Sequence, residues 1–246
     1  MKIIFALLKV SSITRRKKPL TGGIGELVMI KIENIETWGF EHAVRGMRNP
    51  LDSWEKSDSA WEWVEDESLI NPNDPGMMFV VGDNDLALMR KLYKAGSEHR
   101  KYLRQIFVSM DITAPLYWWK QKDQFKVGTT TNSCSTMHTI HKRDLTMDDF
   151  STEHLDEWSK TVLLRGIERI NDARKNYVET GDKNDWWQII QLLPSSFNQR
   201  RTVTMNYENV VTIIRQRSGH KLDEWREMLE VLKELPYVRA ITEDEE

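Results

Sequence analysis

Cysteine is almost missing from this chain. Cys134 is the only one in 246 residues, so no disulfide can close within it. The histidines are scattered without metal-ligand spacing, which leaves no zinc or iron signature. Both features fit a reducing cytoplasm. Long apolar runs are lacking too, and the early run Ile3–Leu8 falls far short of the roughly 20 residues that cross a bilayer. A basic excess is absent, since the net charge is -3, and this excludes a general nucleic-acid coat. What remains is a chain with 39% hydrophobic and 30% charged residues, the balance of a soluble globular protein of one large or two small domains.

Residues 1–28 stand apart. Their apolar run precedes Arg15, Arg16, Lys17 and Lys18, the reverse of a secretory signal. They read as a basic, poorly ordered arm, or as the product of an upstream start with the protein proper beginning at Met29. Residues 29–238 then form one domain, and 239–246 an acidic solvated tail.

Within the domain, MIKIENIE from Met29 alternates as a half-buried strand. An acidic, Trp-rich stretch runs from Trp54 to Glu67, a turn follows at Asn71–Gly76, and Met77–Val81 is a short strand. Asp83 or Asn84 is expected to cap a helix with Leu86, Met89, Leu92 and Tyr93 on one face, ended by Gly96. Gln105–Thr113 alternates as a strand, and Pro115 suits the first turn of the next helix. Leu155, Trp158, Val162, Ile167, Ile170, Ala173 and Tyr177 mark a long amphipathic helix up to Gly181. Asp185–Leu193 is a short helix stopped by Pro194. Asn206 or Thr204 opens a helix through Arg217, and Leu222, Trp225, Leu229 and Leu232 describe the last. With no repeats and no clear linker, the pattern gives an α+β fold in which helices outnumber strands.

Val127–Thr136 is the most informative segment. It holds six Ser and Thr, one Asn, one Gly and Cys134 against a single branched aliphatic residue. Such a tract covers no apolar surface, and its polar groups need partners when buried. It reads as a loop of donors beside Lys120, Lys122 and Lys126, suited to a phosphate-bearing ligand, or as a solvated loop.

The segment from Ala114 resembles the signature of the flavin-dependent thymidylate synthases. That signature opens with an Ala-Pro-aromatic helix containing a Gln and runs into R-H-R-x-x-S-x(4)-S-x-R. Ala114, Pro115, Tyr117 and Gln121 match. Arg-His-Arg falls on Gln124, Phe125 and Lys126. With one inserted residue Asn132 and Ser135 match while Met137 replaces the last Arg; without it Thr129 takes the first Ser position and Cys134 and Thr136 the last two. A second block keeps Leu193-Pro194, then Thr204-Met205-Asn206, then Arg217 eleven residues later, with Ile190 where an Arg is expected. His99, His220 and Glu224 approximate further family positions. The resemblance spans about residues 85–235.

It implies an antiparallel sheet packed with several long helices, assembled as a homotetramer with sites at subunit interfaces. It implies a cytoplasmic enzyme that makes dTMP from dUMP, with FAD as cofactor and NADPH and methylenetetrahydrofolate as co-substrates. No metal, membrane or nucleic-acid polymer is involved. Arg217 and Ser135 become the catalytic candidates, and Gln121, Gln124, Ser133, Ser135 and Arg217 the nucleotide ligands. His99, Lys126, Asn132, Asn206 and His220 become the flavin ligands. Cys134 reads as a small loop residue, with a pyrimidine-attacking thiol as the alternative. Trp118-Trp119 and Trp186-Trp187 read as core or as stacking platforms.

Each motif arginine lost removes a charge-assisted contact of about 1.5–3 kcal/mol. Arg100, Lys101, Arg104, Arg200 and Arg201 are the nearby cations expected to compensate. Two further readings stay open: a related enzyme acting on another pyrimidine nucleotide, and a nucleotide-binding scaffold that lost the flavin.

Overall fold

A computed structural model describes residues 29–63 and 77–243. The basic arm, the turn at 71–76 and the end of the Trp-rich stretch lie outside the described residues. Strand β1 (Lys31–Trp38) leads into helix α1 (Phe40–Arg48). Strands β2 (Ala60–Trp63) and β3 (Met77–Val80) form a hairpin, and α2 (Asp83–Lys94) follows. Strand β4 (Phe107–Pro115) runs into α3 (Leu116–Lys122), and β5 (Thr129–Ser133) precedes the short α4 (Thr136–Thr139). Helices α5 (Glu157–Thr180) and α6 (Lys183–Leu192) form an antiparallel pair. Strand β6 (Asn198–Asn206) then feeds α7 (Tyr207–Arg217), α8 (Asp223–Lys233) and α9 (Val238–Thr242).

The main sheet is antiparallel in the order β1-β4-β6-β5. Its alternation is clearest on β4, where Val108, Met110, Ile112 and Ala114 are fully buried. Against them pack Val203 and Met205 of β6, Val210 and Ile213 of α7, and Trp225, Met228 and Leu232 of α8, in one continuous core. The opposite face is polar: Asp111 accepts hydrogen bonds from Asn34 (2.8 Å), Arg200 (2.6 Å) and Thr202 (2.5 Å), which lower its pKa to about 2. One face buried and one face wet is the usual state of such a sheet. Asn34, at φ 52°, takes the left-handed conformation at a bulge where the β1–β4 register shifts.

Four expectations change. The hydroxyl tract is not a loop: Thr129–Ser133 is an edge strand paired with Met205–Arg201. Helix α2 is capped neither by Asp83 nor by Asn84 but from a distance, by Asp58, whose carboxylate accepts from the Asn84 and Asp85 amides at 2.8 and 3.1 Å. Lys122 is not a phosphate-facing cation but is 1% exposed. In α5, Ile167, Ile170 and Ala173 bury into a second cluster with Ile140, Leu145, Phe150 and Ile189, whereas Trp158 and Val162 stay exposed.

A buried ion pair ties α1 to α2. Arg48 Nε donates to Asp85 Oδ1 at 2.5 Å, and Asp85 Oδ2 accepts from Ser57 and Ser59 hydroxyls, each at 2.6 Å. Burial opposes ionisation of Asp85, but these hydrogen bonds and the Arg48 charge hold its pKa below the ordinary value.

Candidate functional site

Helix α7 is the spine of the candidate site. Asn206 caps its start, accepting from the Asn209 amide at 3.0 Å, and Arg217 ends it about 16 Å away. The turn 123–128 runs beside this helix and is fastened at both ends. Near the start, the Asn209 side chain donates to the Val127 carbonyl and to Thr129 Oγ1 at 3.0 Å. There Gly128, at φ +69°, lies so close that a Cβ on it would sit 2.5 Å from Asn206 Nδ2. Near the end, Arg217 Nη2 donates to Gln124 Oε1 at 2.8 Å.

Arg217 is held by aromatic rings as well. Its guanidinium carbon lies 4.8 Å from the Phe125 ring centroid and 5.2 Å from that of Trp225. Its Nε is buried and has no hydrogen-bond partner. His220 packs near the same Trp225, and its Nδ1 accepts from the Leu222 amide at 3.1 Å. Burial and the Arg217 charge lower the His220 pKa, against a smaller opposing effect of Glu224. At neutral pH the ring is therefore uncharged, with its proton on Nε2.

Of the remaining candidates, Lys126 lies exposed in the turn and makes no ion pair among the described residues. His99 is exposed at the other end of α7, because its neighbour Arg100 pairs with Glu208 of the first α7 turn at 2.8 Å. Gln121 is half-buried in the last turn of α3. The structure thus gathers Gln124, Lys126, Asn206, Arg217 and His220 along one helix and its companion turn.

Ser133 and Asn132 lie elsewhere, at the far end of β5, about 13 Å along the strand from Thr129. Ser135 sits at the N-cap of α4. On either side of it, Cys134 and Thr136 line a cavity of about 480 Å³ and hold the Gln199 amide at 2.8 and 3.2 Å. Cys134 is exposed. Trp118 and Trp119 are fully buried and belong to the core.

Three of the cations expected to compensate for lost arginines are engaged: Arg100 on Glu208, Arg200 on Asp111, and Arg201 on Asp123 at 3.1 Å. Phe125, Trp225 and Asn209 were not among the expected site residues. Phe125 sits where the family motif has its His, and Asn209 follows the Asn206 cap by three residues, so both carried a positional signal. Trp225 carried none beyond its place in a core stripe.

No family model and no curated protein matches the chain. Solved structures do. A flavin-dependent thymidylate synthase of Helicobacter pylori complexed with FAD and dUMP superposes with a TM-score of 0.59 at 16% identity, covering 88% of this chain and 99% of the other. A second structure of that enzyme with FAD and dUMP gives 0.58 and 16%, covering 87% and 97%. The fold is that of the flavin-dependent thymidylate synthases. On the thymidylate synthase scaffold this chain bears Gln124 and Phe125 where the motif resemblance expects Arg and His. Among the described residues no helix is long and apolar enough to cross a membrane, and no side-chain group is arranged to hold a metal ion.

Proposed function

We propose that the chain is a divergent flavin-dependent thymidylate synthase, converting dUMP to dTMP with methylenetetrahydrofolate, NADPH and FAD. The observation that carries this reading is Arg217: a guanidinium fixed by Gln124, Phe125 and Trp225, with a buried N–H that lacks an acceptor. A fork held in that way is suited to a phosphate or a pyrimidine carbonyl. Gln121 and Gln124 contribute further hydrogen bonds to the nucleotide.

The other end of α7 fits a flavin pyrophosphate. Lys126 is exposed and makes no ion pair among the described residues, and the turn at Gly128 is pressed against the Asn206 side chain that caps α7. Lys126, His99 and Asn206 would hold FAD there, whereas His220 lies at the Arg217 end beside the nucleotide. Asn132, at the far end of β5, would reach a flavin of a neighbouring copy. Bound FAD supplies the reducing equivalents that turn the transferred one-carbon unit into a methyl group. The protein's own work is positioning: Arg217 orients the base, and neutral His220 adds no charge beside it. Ser133 and Ser135, distant from Arg217 within one chain, reach the nucleotide of a neighbouring copy in a cytoplasmic homotetramer.

The absorbance spectrum of the purified protein tests this. Bands near those of free flavin, or their appearance on incubation with FAD, are expected, together with rescue of a thymidine auxotroph. Colourless protein that takes up no FAD and rescues no growth would overturn the reading. A competing one, a nucleotide-binding scaffold without flavin, is favoured by the engagement of Arg100, Arg200 and Arg201 with carboxylates. Colourless protein that still binds dUMP selects it.

A further inference from the structure

We propose that Gln124 selects the base of the nucleotide, admitting a pyrimidine with an oxygen at C4 and rejecting one with an amino group there. This rests on the proposed nucleotide site at Arg217. A guanidinium offers only donors, so the Gln124 amide can meet Arg217 only through Oε1. Nε2 then projects away from Arg217 with two N–H donors, while Oε1 stays turned to the guanidinium. Flipping the amide would set donors against donors, and Arg217 cannot swing away easily because Phe125 and Trp225 flank it.

The neighbouring polar groups have the same sense. His220 uses Nδ1 as acceptor for the Leu222 amide and so presents Nε2–H. Arg217 Nε adds an N–H without a partner. Several neighbouring acceptors are engaged: Asp123 pairs with Arg201, Glu224 is buried and one of its oxygens accepts from the Tyr117 hydroxyl, and the Arg217 carbonyl accepts from the His220 amide at 3.0 Å. The half-buried Gln121 amide offers both a donor and an acceptor. Around Gln124 itself the corner is therefore mainly one of donors. At C4 uracil presents an O4 acceptor to the Gln124 Nε2–H, whereas cytosine presents an N4 amino donor; O2 is an acceptor in both bases, so the discrimination lies at C4.

Calorimetric titration of the full chain with dUMP and with dCMP, with and without added FAD, tests this. The wild type is expected to bind dUMP about ten-fold or more tightly than dCMP, the scale of one mismatched hydrogen bond in a partly open site. Gln124 is exposed, so its variants keep the fold. In Gln124→Glu the second carboxylate oxygen becomes an acceptor, and the ratio is expected to move toward or past equality in favour of dCMP. The ratio is the readout because the added charge repels both phosphates alike. Gln124→Met, which can neither donate nor accept through an amide, is expected to bring the ratio close to one. Equal affinities in the wild type, or a ratio unmoved by Gln124→Glu, overturn the selection by Gln124 while leaving the nucleotide site standing. Failure to bind either nucleotide overturns both.

Discussion

Lys122 shows how a single side chain can work against the fold that contains it. Burial lowers its pKa from 10.5 to about 8, and the Asp123 charge offsets this only in part. The unfolded chain therefore holds a proton that the folded chain has released between pH 8 and 10.5, and stability rises with pH through that window. Below pH 8 the buried ammonium is a standing cost, on the order of 3 kcal/mol from the shift. Lys122→Met is expected to raise the urea midpoint at pH 7 and to flatten the rise above pH 8. A variant whose pH profile parallels the wild type would show that the amine reaches water. The position was legible: Trp118, Trp119 and Lys122 share one face of α3, so a lysine there follows two tryptophans inward. Charge alone suggested a phosphate ligand, and helical spacing decides otherwise. For Arg217 the eleven-residue interval from Asn206 marked the residue, but nothing in the sequence could place the Phe125 and Trp225 rings around it.

At the scale of elements, β4 was plain and β6 was hidden for one physical reason. Every inward position of β4 is apolar, whereas β6 turns Gln199 and Arg201 inward along with Val203 and Met205. Arg201 is tolerated there because its guanidinium lies 4.2 Å from the Trp119 ring centroid and pairs with Asp123, a partnership 78 residues apart that no local pattern reveals. Strand β5 is concealed differently: an edge strand of hydroxyls has no apolar face to alternate. Helix starts depend on such distant partners too. Because Asp58 caps α2 with two accepted amide hydrogen bonds, Asp58→Ala is expected to cost about 1 kcal/mol, measured by urea unfolding. A cost below about 0.3 kcal/mol would mean that water replaces the cap. The turn that fastens α7 is more exacting. Gly128→Ala combines a left-handed φ with a methyl pressed on Asn206, so a loss of about 1–2 kcal/mol is expected. FAD affinity, read by fluorescence quenching, is expected to fall with it; unchanged affinity would detach Asn206 from the flavin.

The described residues pack into two apolar centres, the sheet-and-helix core and the smaller cluster under α5 and α6. Single chains leave part of α5 unsatisfied. Trp158 and Val162, one turn apart, are 75% and 56% exposed, an apolar ridge that a monomer would present to water. The proposed homotetramer would give that ridge a function, and the same association would bring Ser133 and Ser135 of one copy toward Arg217 of another. Sedimentation velocity on the wild type is expected to give a tetramer at micromolar concentration. Trp158→Glu combined with Val162→Glu is expected to shift the mass to dimer or monomer with the far-UV circular dichroism unchanged, since neither side chain supports the second cluster. The dissociated variant should then lose dUMP binding although Arg217, Gln124 and His220 remain intact. If it dissociates yet binds dUMP as tightly as before, the nucleotide site is complete within one chain and the serines of β5 and α4 have no part in it. A tetramer that survives both charges would place the interface on another face and leave the ridge of α5 to some other contact.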